Sequence, residues 1–589
     1  MQSIKKAGEG RTTVWTYLKP YWLMVVLAPL FMAVEVWMDL LLPKIMAGII
    51  DGAIPSGDIP LILRQGLLMI ACSLIGLVGG LGCFYFSISA SECHAAKLRS
   101  GLFSIIQSFS FHNLDRFKTG SLVTRLTNDV EQVKNALGMA LRMMVRAPLL
   151  IVGSVVMAVQ FSPGLSRVFL VSVPALVIVL MTFLSRAFPL FRVMRKKLDR
   201  VNVVMHENLA GIRVVKAFVR AEHEQARFDA SNTDFRDTAL KVTRIMSLVG
   251  PVFTFILNAT IVAVLWIGGG RLNSGTMLTG ELMAFIQYIG RLMMSLMMVS
   301  FFITMLASAR AAVERINEVL QEKITIMDPP ESRDWPRVTE GKVEFRGVSF
   351  RYGEGGGDAV LKDISFTAEP GQTVAILGAT GSGKSTLVHL IPRLYDAAEG
   401  QILVDGTDVR DYRLHDLRGA MGVSLQQAVL LSRSVRDSIS YGAADISQAD
   451  MVSAAQDAQA DGFINAMEHG YDSLIAQRGV NFSGGQKQRL AIARALAVKP
   501  KILIFDDSTS AVDVATEVRI REALKRRAKG TTTFLVAQRI SSVMSADKIL
   551  LLEDGRIAAQ GTHPELMQSS SLYRDIYNSQ LGGESGAGA

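Results

Sequence analysis

The alternation of apolar and polar stretches divides the chain of 589 residues into two unlike halves. In the first half, six apolar runs of about 20 residues or more are each long enough to cross the ~30 Å hydrocarbon core of a membrane as a helix. Beyond residue 340, the alternating run at 342–350 and the short apolar run at 373–377 are typical of strands, and the run at 385–391 is typical of a helix. We therefore predict an all-α domain of six transmembrane helices followed by an α/β domain. The six predicted runs are residues 22–42, 67–88, 140–161, 168–188, 247–266 and 282–307.

The positions of lysine and arginine predict how these helices are oriented. The N-terminal segment and the connections after the second and fourth runs are rich in both residues, whereas the connections after the third and fifth runs contain Arg167 alone and Arg271 alone. Because basic segments stay in the cytoplasm, the N-terminus and both long connections are predicted to be cytoplasmic. These connections have helical periodicity and exceed the usual length of loops, so we expect the helices to extend beyond the membrane.

The overall composition is that of a membrane half joined to a soluble half, with 49% hydrophobic and 20% charged residues. The net charge of +9 is largely explained by the basic cytoplasmic segments, so no nucleic acid partner is expected. The three cysteines, Cys72, Cys83 and Cys93, have neither the number nor the spacing of a disulfide framework or a metal site. We also expect no cleavable signal peptide, because no small-residue cleavage site follows the first apolar run cleanly.

Two groups of side chains inside the predicted spans are candidates for substrate contact. Ionisable groups are costly in a bilayer and face a cavity or a partner. For Glu35 and Asp39 we favour an interhelical ion pair, or snorkelling near an interface, over a substrate role. The charged group near or inside the spans comprises Glu35, Asp39, Arg142, Arg146 and Arg291. The last span also contains soft, adaptable side chains that suit either a promiscuous cavity or ordinary helix packing. These are Met293, Met294, Met297 and Met298.

The strongest chemical motif lies near the start of the second half. The run Gly-Ala-Thr-Gly-Ser-Gly-Lys-Ser at 378–385 follows a predicted strand, precedes a predicted helix and matches G-x-x-x-x-G-K-[ST], a phosphate-binding loop. Its backbone N–H groups and the helix N-terminus form an anion nest, Lys384 reaches the β- and γ-phosphates, and Ser385 binds Mg²⁺. The predicted nucleotide-binding residues here are Gly378, Ala379, Thr380, Gly381, Ser382, Gly383, Lys384, Ser385 and Thr386.

A second motif, Asn-Phe-Ser-Gly-Gly-Gln at 481–486, precedes a helical run at 487–497. A serine hydroxyl, glycine amides and a helix N-terminus make another anion site. The motif resembles the signature of ATP-binding cassette (ABC) proteins, with Phe482 where leucine is usual. Segments 117–130 and 207–218 resemble the two intracellular loops of ABC exporters, which carry coupling helices. The chain is thus identified as a member of this family, and the resemblance extends from the first span to about residue 577.

The resemblance implies further site residues and the cofactors ATP and Mg²⁺. Tyr352 would stack on adenine, although a tyrosine that packs in its strand remains the alternative. Gln426 would contact Mg²⁺ and link to the transmembrane domain, and Asp506 would support Mg²⁺, so the implied metal residues are Ser385, Gln426 and Asp506. The signature residues would cap the ATP held by the other subunit of a dimer; they are Ser483, Gly484, Gly485 and Gln486.

Two positions depart from the family pattern in the same catalytic site. Asp507 stands where the family has glutamate, and its carboxylate is one methylene shorter, a displacement to which catalytic geometry is sensitive. Gln538 stands where the family has histidine, and glutamine cannot carry a proton or a positive charge. We predict that this site binds ATP and hydrolyses it slowly. A heterodimer, in which the partner supplies the working site, is favoured over a homodimer.

The predicted function is ATP-driven export of a drug, a lipid or a similar amphipathic substrate by a multi-pass protein of a bacterial inner or plasma membrane. The ATPase domain is expected in the cytoplasm. The predicted domains are residues 1–323 in the membrane, a linker at 324–340, an ABC domain at 341–577 and a flexible tail at 578–589. A nucleotide-gated channel or regulatory subunit is the alternative, and an importer is less favoured because importers usually keep membrane and ATPase parts on separate chains.

Overall fold

The computed structural model describes residues 12–329, 335–353, 358–443, 445–527 and 530–581. The chain forms two compact units. The first consists of the residues up to Gln107 together with Gly120–Gln321, and the second consists of Ser108–Thr119 together with the residues from Glu322 onward. The domain boundaries at 323, 340 and 577 stay predictions, and part of the linker (330–334) and of the tail (582–589) lies outside the described residues.

The first unit is helical, and six of its described helical segments are long and apolar enough to cross a membrane. Each overlaps one of the predicted runs, which confirms the fold class of this half. The helices are α1 Trp22–Gly48, α2 Ile59–Gln107, α3 Phe111–Arg116, α4 Thr119–Thr124, α5 Val130–Phe161, α6 Phe169–Ala210, α7 Ile212–Ala217, α8 Ala221–Ser247, α9 Val249–Asn273 and α10 Thr279–Leu320, of which α3 belongs to the second unit.

Several of these helices are longer than a membrane requires. Helix α2 has 49 residues, which at about 1.5 Å per residue gives a length of roughly 74 Å, more than twice the ~30 Å hydrocarbon core. Helices α6 and α10 have 42 residues each. The expectation that the spans continue as helices beyond the membrane is therefore confirmed.

The core of the first unit holds α1 close to its neighbours. A Cβ atom on Gly79 of α2 would lie 2.9 Å from both the backbone oxygen of Phe31 and the backbone nitrogen of Glu35, so the two helices touch at their backbones. On the other side, the buried Tyr288 of α10 donates its hydroxyl to the backbone oxygen of Leu40 at 2.7 Å. These contacts fix the part of α1 that carries the predicted membrane charges.

The segment predicted as the first intracellular loop divides between the two units. The turn Arg125–Asp129 follows α4 and is attached to the end of α10 by two ion pairs. Arg315 contacts the buried carboxylate of Asp129 with two nitrogens, at 2.5 and 2.9 Å, and Arg125 contacts Glu318 at 2.7 Å. Bidentate arginine–carboxylate contacts fix orientation as well as distance, so this turn has a defined position on α10.

The second unit has the mixed α/β architecture that the sequence predicts. Its strands are β1 Val343–Phe350, β2 Leu361–Ala368, β3 Thr373–Gly378, β4 Glu399–Val404, β5 Thr407–Asp408, β6 Met421–Ser424, β7 Ile502–Asp506, β8 Thr532–Ala537, β9 Lys548–Glu553 and β10 Arg556–Gly561. Its remaining helices are α11 Lys384–Leu390, α12 Leu414–Gly419, α13 Val435–Ile439, α14 Gln448–Asp457, α15 Asp461–Asn465, α16 Gly484–Ala497, α17 Val514–Arg527, α18 Ile540–Val543, α19 His563–Ser569 and α20 Ser571–Leu581.

The larger of two sheets positions the site. Its strand order is β10-β9-β3-β8-β7-β6, and only the edge strand β10 is antiparallel to its neighbour. The carboxyl ends of β3, β8, β7 and β6 therefore meet at one edge of the sheet, where ligands bind in open α/β folds. The four segments that follow these strands carry the phosphate loop, Gln538, Asp507 and Gln426.

Candidate nucleotide site

The phosphate loop connects β3 to α11 as the sequence predicts. A Cβ atom on Gly378 would lie 2.4 Å from the backbone oxygen of Leu552, and Gly383 has a φ of +99°, so neither position accepts a side chain without a shift. The Lys384 ammonium group donates to the backbone oxygens of Gly378 at 2.8 Å and Ala379 at 2.7 Å. Burial lowers the pKa of Lys384, and the charges of Asp507 and Asp506 oppose that shift.

Two of the three predicted Mg²⁺ residues, Ser385 and Asp506, are brought into contact on adjacent elements. The Ser385 hydroxyl donates to Oδ1 of the buried Asp506 at 2.7 Å. Hydroxyl and carboxylate oxygens, together with substrate phosphates, are the ligands that Mg²⁺ prefers in nucleotide sites, so the residues present fit this ion. His389, one helical turn after Ser385, places Nε2 3.3 Å from the other Asp506 oxygen. The sequence analysis missed His389, although its spacing on α11 was a usable signal.

The two unusual residues of the site contact each other. Gln538 donates from Nε2 to Oδ2 of Asp507 at 2.9 Å. Asp507 has a φ of +46° at the end of β7, a conformation that is uncommon for residues other than glycine. Burial raises the pKa of Asp507, although the hydrogen bond from Gln538 opposes this shift.

The aromatic residue predicted at the adenine position lies beside the phosphate loop. The Tyr352 hydroxyl lies 3.0 Å from Oγ1 of Thr386, and its ring packs edge-on against the rings of Phe350 and Tyr395. Tyr395 in turn donates its hydroxyl to Oδ2 of Asp115 in α3 at 2.8 Å. Sequence reasoning missed Tyr395 and Asp115, because 280 residues separate them and only the fold brings them together.

The signature segment is positioned by its own helix and by the loop after β7. Ser483 is the N-cap of α16, and its hydroxyl accepts a hydrogen bond from the backbone N–H of Gln486 at 3.3 Å. Gln488 bonds to Ser510 and to the backbone of Ala511. Within the described residues, the hydrogen bonds of these signature side chains stay in this region and do not reach the phosphate loop of the same chain.

Phe482, which stands where the usual signature has leucine, is accommodated in the core of the second unit. Its side chain is buried and packs edge-on against the ring of Phe463. It belongs to the core that surrounds α16 and not to the exposed face formed by Ser483 and Gly484. The substitution therefore concerns packing under the signature and leaves its polar atoms in place.

Comparison with known proteins places the chain in a family. A model described as "ABC transporter transmembrane region" matches residues 25–296, and one described as "ABC transporter" matches residues 361–510. The chain belongs to the ABC transporter family and has the architecture of an exporter half-transporter, with one membrane region followed by one ATPase domain. It is a multi-pass membrane protein whose ATPase domain is cytoplasmic, and its activity is ATP-driven transport.

Several bacterial proteins are similar along almost the whole chain. The ABC transporter ATP-binding protein YfiB of Bacillus subtilis is 40% identical over 97% of this chain and 98% of its own length. YgaD of the same organism, described as a putative multidrug export ATP-binding/permease protein, is 33% identical over 96% of this chain and 98% of its own. The structure of a bacterial Atm1-family ABC exporter with ATP bound matches with a TM-score of 0.78 and 25% identity, over 96% of this chain and 98% of that chain.

Proposed function

We propose that this chain is one half of a heterodimeric exporter whose two nucleotide sites are unequal. The site built on its own phosphate loop binds ATP and Mg²⁺ and hydrolyses slowly. Its signature segment completes the faster site of the partner. The observation that carries this proposal is the hydrogen bond between Gln538 and Asp507, at 2.9 Å, beside an otherwise complete set of binding groups.

The binding groups support tight retention of ATP. The phosphate loop has the glycine geometry that an anion nest requires, and Lys384 lies within it. The roles proposed for Ser385 and Asp506 follow from their 2.7 Å contact, because both oxygens can serve one Mg²⁺ ion directly or through water. Tyr352, which is 43% exposed, presents a ring on which adenine can stack.

The hydrolytic groups support slow turnover. A general base must come within hydrogen-bond reach of the water that attacks the γ-phosphate. The Asp507 side chain is one methylene shorter than the glutamate usual in this family. One of its carboxylate oxygens accepts a hydrogen bond from the side-chain amide of Gln538. Gln538 itself can donate a hydrogen bond to phosphate but cannot move a proton. Both departures reduce the rate of the chemical step more than they reduce affinity.

The signature and the intracellular helices support a dimer. ABC exporters act as dimers, and among the described residues the exposed Ser483 bonds to Gln486 and not to the chain's own phosphate loop. Near α7, exposed apolar side chains include Val214 and Phe218, at 60% and 73% exposure, which suits contact with another surface. On the second unit, the contact from Tyr395 to Asp115 connects the nucleotide site to α3, so closure around ATP can be transmitted to this helix.

The experiment is gentle purification from native membranes with an affinity tag on this chain alone. A heterodimer predicts that a second chain of similar size is recovered in a one-to-one ratio, and that its sequence carries glutamate and histidine at the two catalytic positions. A homodimer that hydrolyses ATP briskly would overturn the proposal. Substrate efflux from vesicles that depends on hydrolysis distinguishes an exporter from a nucleotide-gated channel, in which passive flux would survive a disabled partner site.

A further inference from the structure

Four charged side chains form ion pairs inside the membrane region on three helices of the first unit, and a fifth lies one helical turn from them. Arg146 of α5 contacts Glu35 of α1 at 2.6 Å, which confirms the interhelical ion pair predicted from the sequence. Asp39 of α1 is shared at longer distances, 3.5 Å from Arg146 and 3.4 Å from Arg291 of α10. Arg142, one turn before Arg146, completes the group. We call these five residues the charged cluster.

The charged cluster has more positive than negative groups. It contains three guanidinium groups and two carboxylates, and Asp39 lies 3.4 Å from Arg291 and 3.5 Å from Arg146. In the part of the chain that the structure describes, Arg142 contacts no carboxylate: Nε donates to the backbone oxygen of Gly138 and the guanidinium lies over the Phe84 ring at 5.2 Å. A surplus cation is costly in a membrane, and a bound anion would offset that cost.

The charged cluster is accessible and lies away from the apolar outer face of α1. The side chains that form its ion pairs are 17% to 32% exposed. The exposed apolar residues of α1 include Val34 and Trp37. At 100° per residue, Asp39 lies about 160° around the helix from Trp37. The carboxylates therefore face away from the side of α1 that suits lipid.

Apolar side chains on α10 continue the surface next to the arginines. Met294 and Met298 follow Arg291 by three and seven residues, so all three share one helix face. Met294 is 53% exposed. Methionine adapts to apolar groups of different shape and is common at promiscuous binding surfaces. One face of α10 thus offers a cation followed by a soft apolar surface, which is complementary to an amphipathic anion.

We propose that the charged cluster binds the anionic headgroup of an amphipathic substrate, a carboxylate or a phosphate, with the apolar tail along Met294 and Met298. This inference rests on the proposed exporter function and names its substrate class. Arg291 and Arg142 supply the positive charge that the two carboxylates leave uncompensated. Asp39 competes with the substrate for the arginines, so it limits affinity and favours release.

The test measures binding without nucleotide, on the full transporter with its partner chain in lipid nanodiscs. The probes are N-lauroylglycine, its neutral analogue N-lauroylglycinamide, dodecyl phosphate and the tail-less N-acetylglycine. We expect N-lauroylglycine to bind at least about tenfold more tightly than the amide, as a charge-assisted hydrogen bond implies. N-acetylglycine should bind far more weakly, and dodecyl phosphate shows which headgroup is preferred. Because no ATP is present, this result does not depend on whether the two nucleotide sites hydrolyse ATP at unequal rates.

Two substitutions of opposite charge distinguish binding from a structural role. Arg291→Gln should weaken binding of N-lauroylglycine about tenfold and leave the amide unchanged. Asp39→Asn should strengthen binding of the same anion severalfold, because it removes the carboxylate that lies 3.4 Å from Arg291 and 3.5 Å from Arg146. Arg64→Gln serves as the matched control, since Arg64 is an exposed arginine of α2 outside the charged cluster. Thermal unfolding of each variant checks that the protein is intact.

Three results would overturn the proposal. Equal affinity for N-lauroylglycine and its amide would show that charge is not recognised. Loss of affinity in both Asp39→Asn and Arg291→Gln would assign the cluster a structural role only. An effect of Arg64→Gln as large as that of Arg291→Gln would show that the membrane region responds to any loss of positive charge.

Discussion

The two sides of the nucleotide site differ in how their side chains are engaged. On the binding side, Lys384 donates to the backbone of the phosphate loop and Ser385 donates to Asp506, at 2.7 to 2.8 Å, and these contacts connect the loop, the helix and the strand. On the hydrolytic side, the Gln538 amide donates a hydrogen bond to the Asp507 carboxylate. The two sides share the end of β7, where Asp506 and Asp507 are consecutive, but they use different side chains, so a substitution on one side can leave the contacts of the other in place. The largest predicted effect comes from the signature segment, which is proposed to complete the partner's site.

Gly484→Asp should lower the total ATPase rate of the transporter about a hundredfold, the scale seen when a group that stabilises transition-state charge is lost. A Cβ atom on Gly484 would lie 3.7 Å from its nearest neighbour, so the fold accepts it, while the carboxylate repels phosphate. The control Gly484→Ala should retain most activity. By contrast, Asp507→Asn should change the total rate less than about twofold. A loss in Asp507→Asn as large as that in Gly484→Asp would contradict unequal sites.

The double variant Asp507→Glu with Gln538→His should raise hydrolysis at this chain's own site about tenfold or more, because it restores carboxylate reach and a proton-carrying side chain. The measurement is the ADP formed on this chain in single-turnover experiments. Each single substitution serves as a control and should recover less than the pair, because the two side chains contact each other. An unchanged rate in the double variant would show that other geometry limits this site.

Tyr352→Ala should weaken ATP binding at this site about tenfold, equivalent to ~1.4 kcal/mol, through loss of ring contact with adenine. Tyr352→Phe keeps the ring and removes only the hydroxyl that lies 3.0 Å from Thr386. It should therefore change the dissociation constant less than about twofold. Titration with a fluorescent ATP analogue measures both. Equal losses in the two variants would assign the role to the hydroxyl and not to the ring.

The smallest effect concerns pH. The Gln538 hydrogen bond lowers the pKa of Asp507, against the larger effect of burial, which raises it. Gln538→Leu removes that donor, so the pKa of Asp507 should rise further. Residual hydrolysis that needs the carboxylate is present above this pKa and lost below it. The acid limb of the pH–rate profile, measured with the partner's site disabled, should move to higher pH. A shift to lower pH would contradict this prediction.

Much of the site was predictable because its chemistry is local in sequence. The phosphate loop and the signature each occupy a few consecutive residues, and their glycines are required by close backbone contacts such as that of Gly378. The six membrane spans follow from apolar runs of sufficient length. Both catalytic departures, Asp507 and Gln538, could be identified from their motifs alone.

The contacts between distant segments could not be predicted from sequence. The bond between Asp507 and Gln538 depends on β7 and β8 being neighbours in the sheet, and that between Tyr395 and Asp115 depends on α3 belonging to the second unit. The charged residues of the membrane helices were identified, but their pairing depends on how α1, α5 and α10 pack. The sequence shows which residues are charged, whereas the tertiary structure determines which of them form ion pairs.

The most direct test of unequal sites asks which nucleotide each chain holds. The transporter is allowed to turn over a photoreactive azido-ATP labelled on its α-phosphate, then irradiated, and the nucleotide attached to each chain is identified. Unequal sites predict mainly ATP on this chain and mainly ADP on its partner. Equal fractions of ADP on both chains would show that Asp507 and Gln538 are adequate for catalysis, and would contradict the account.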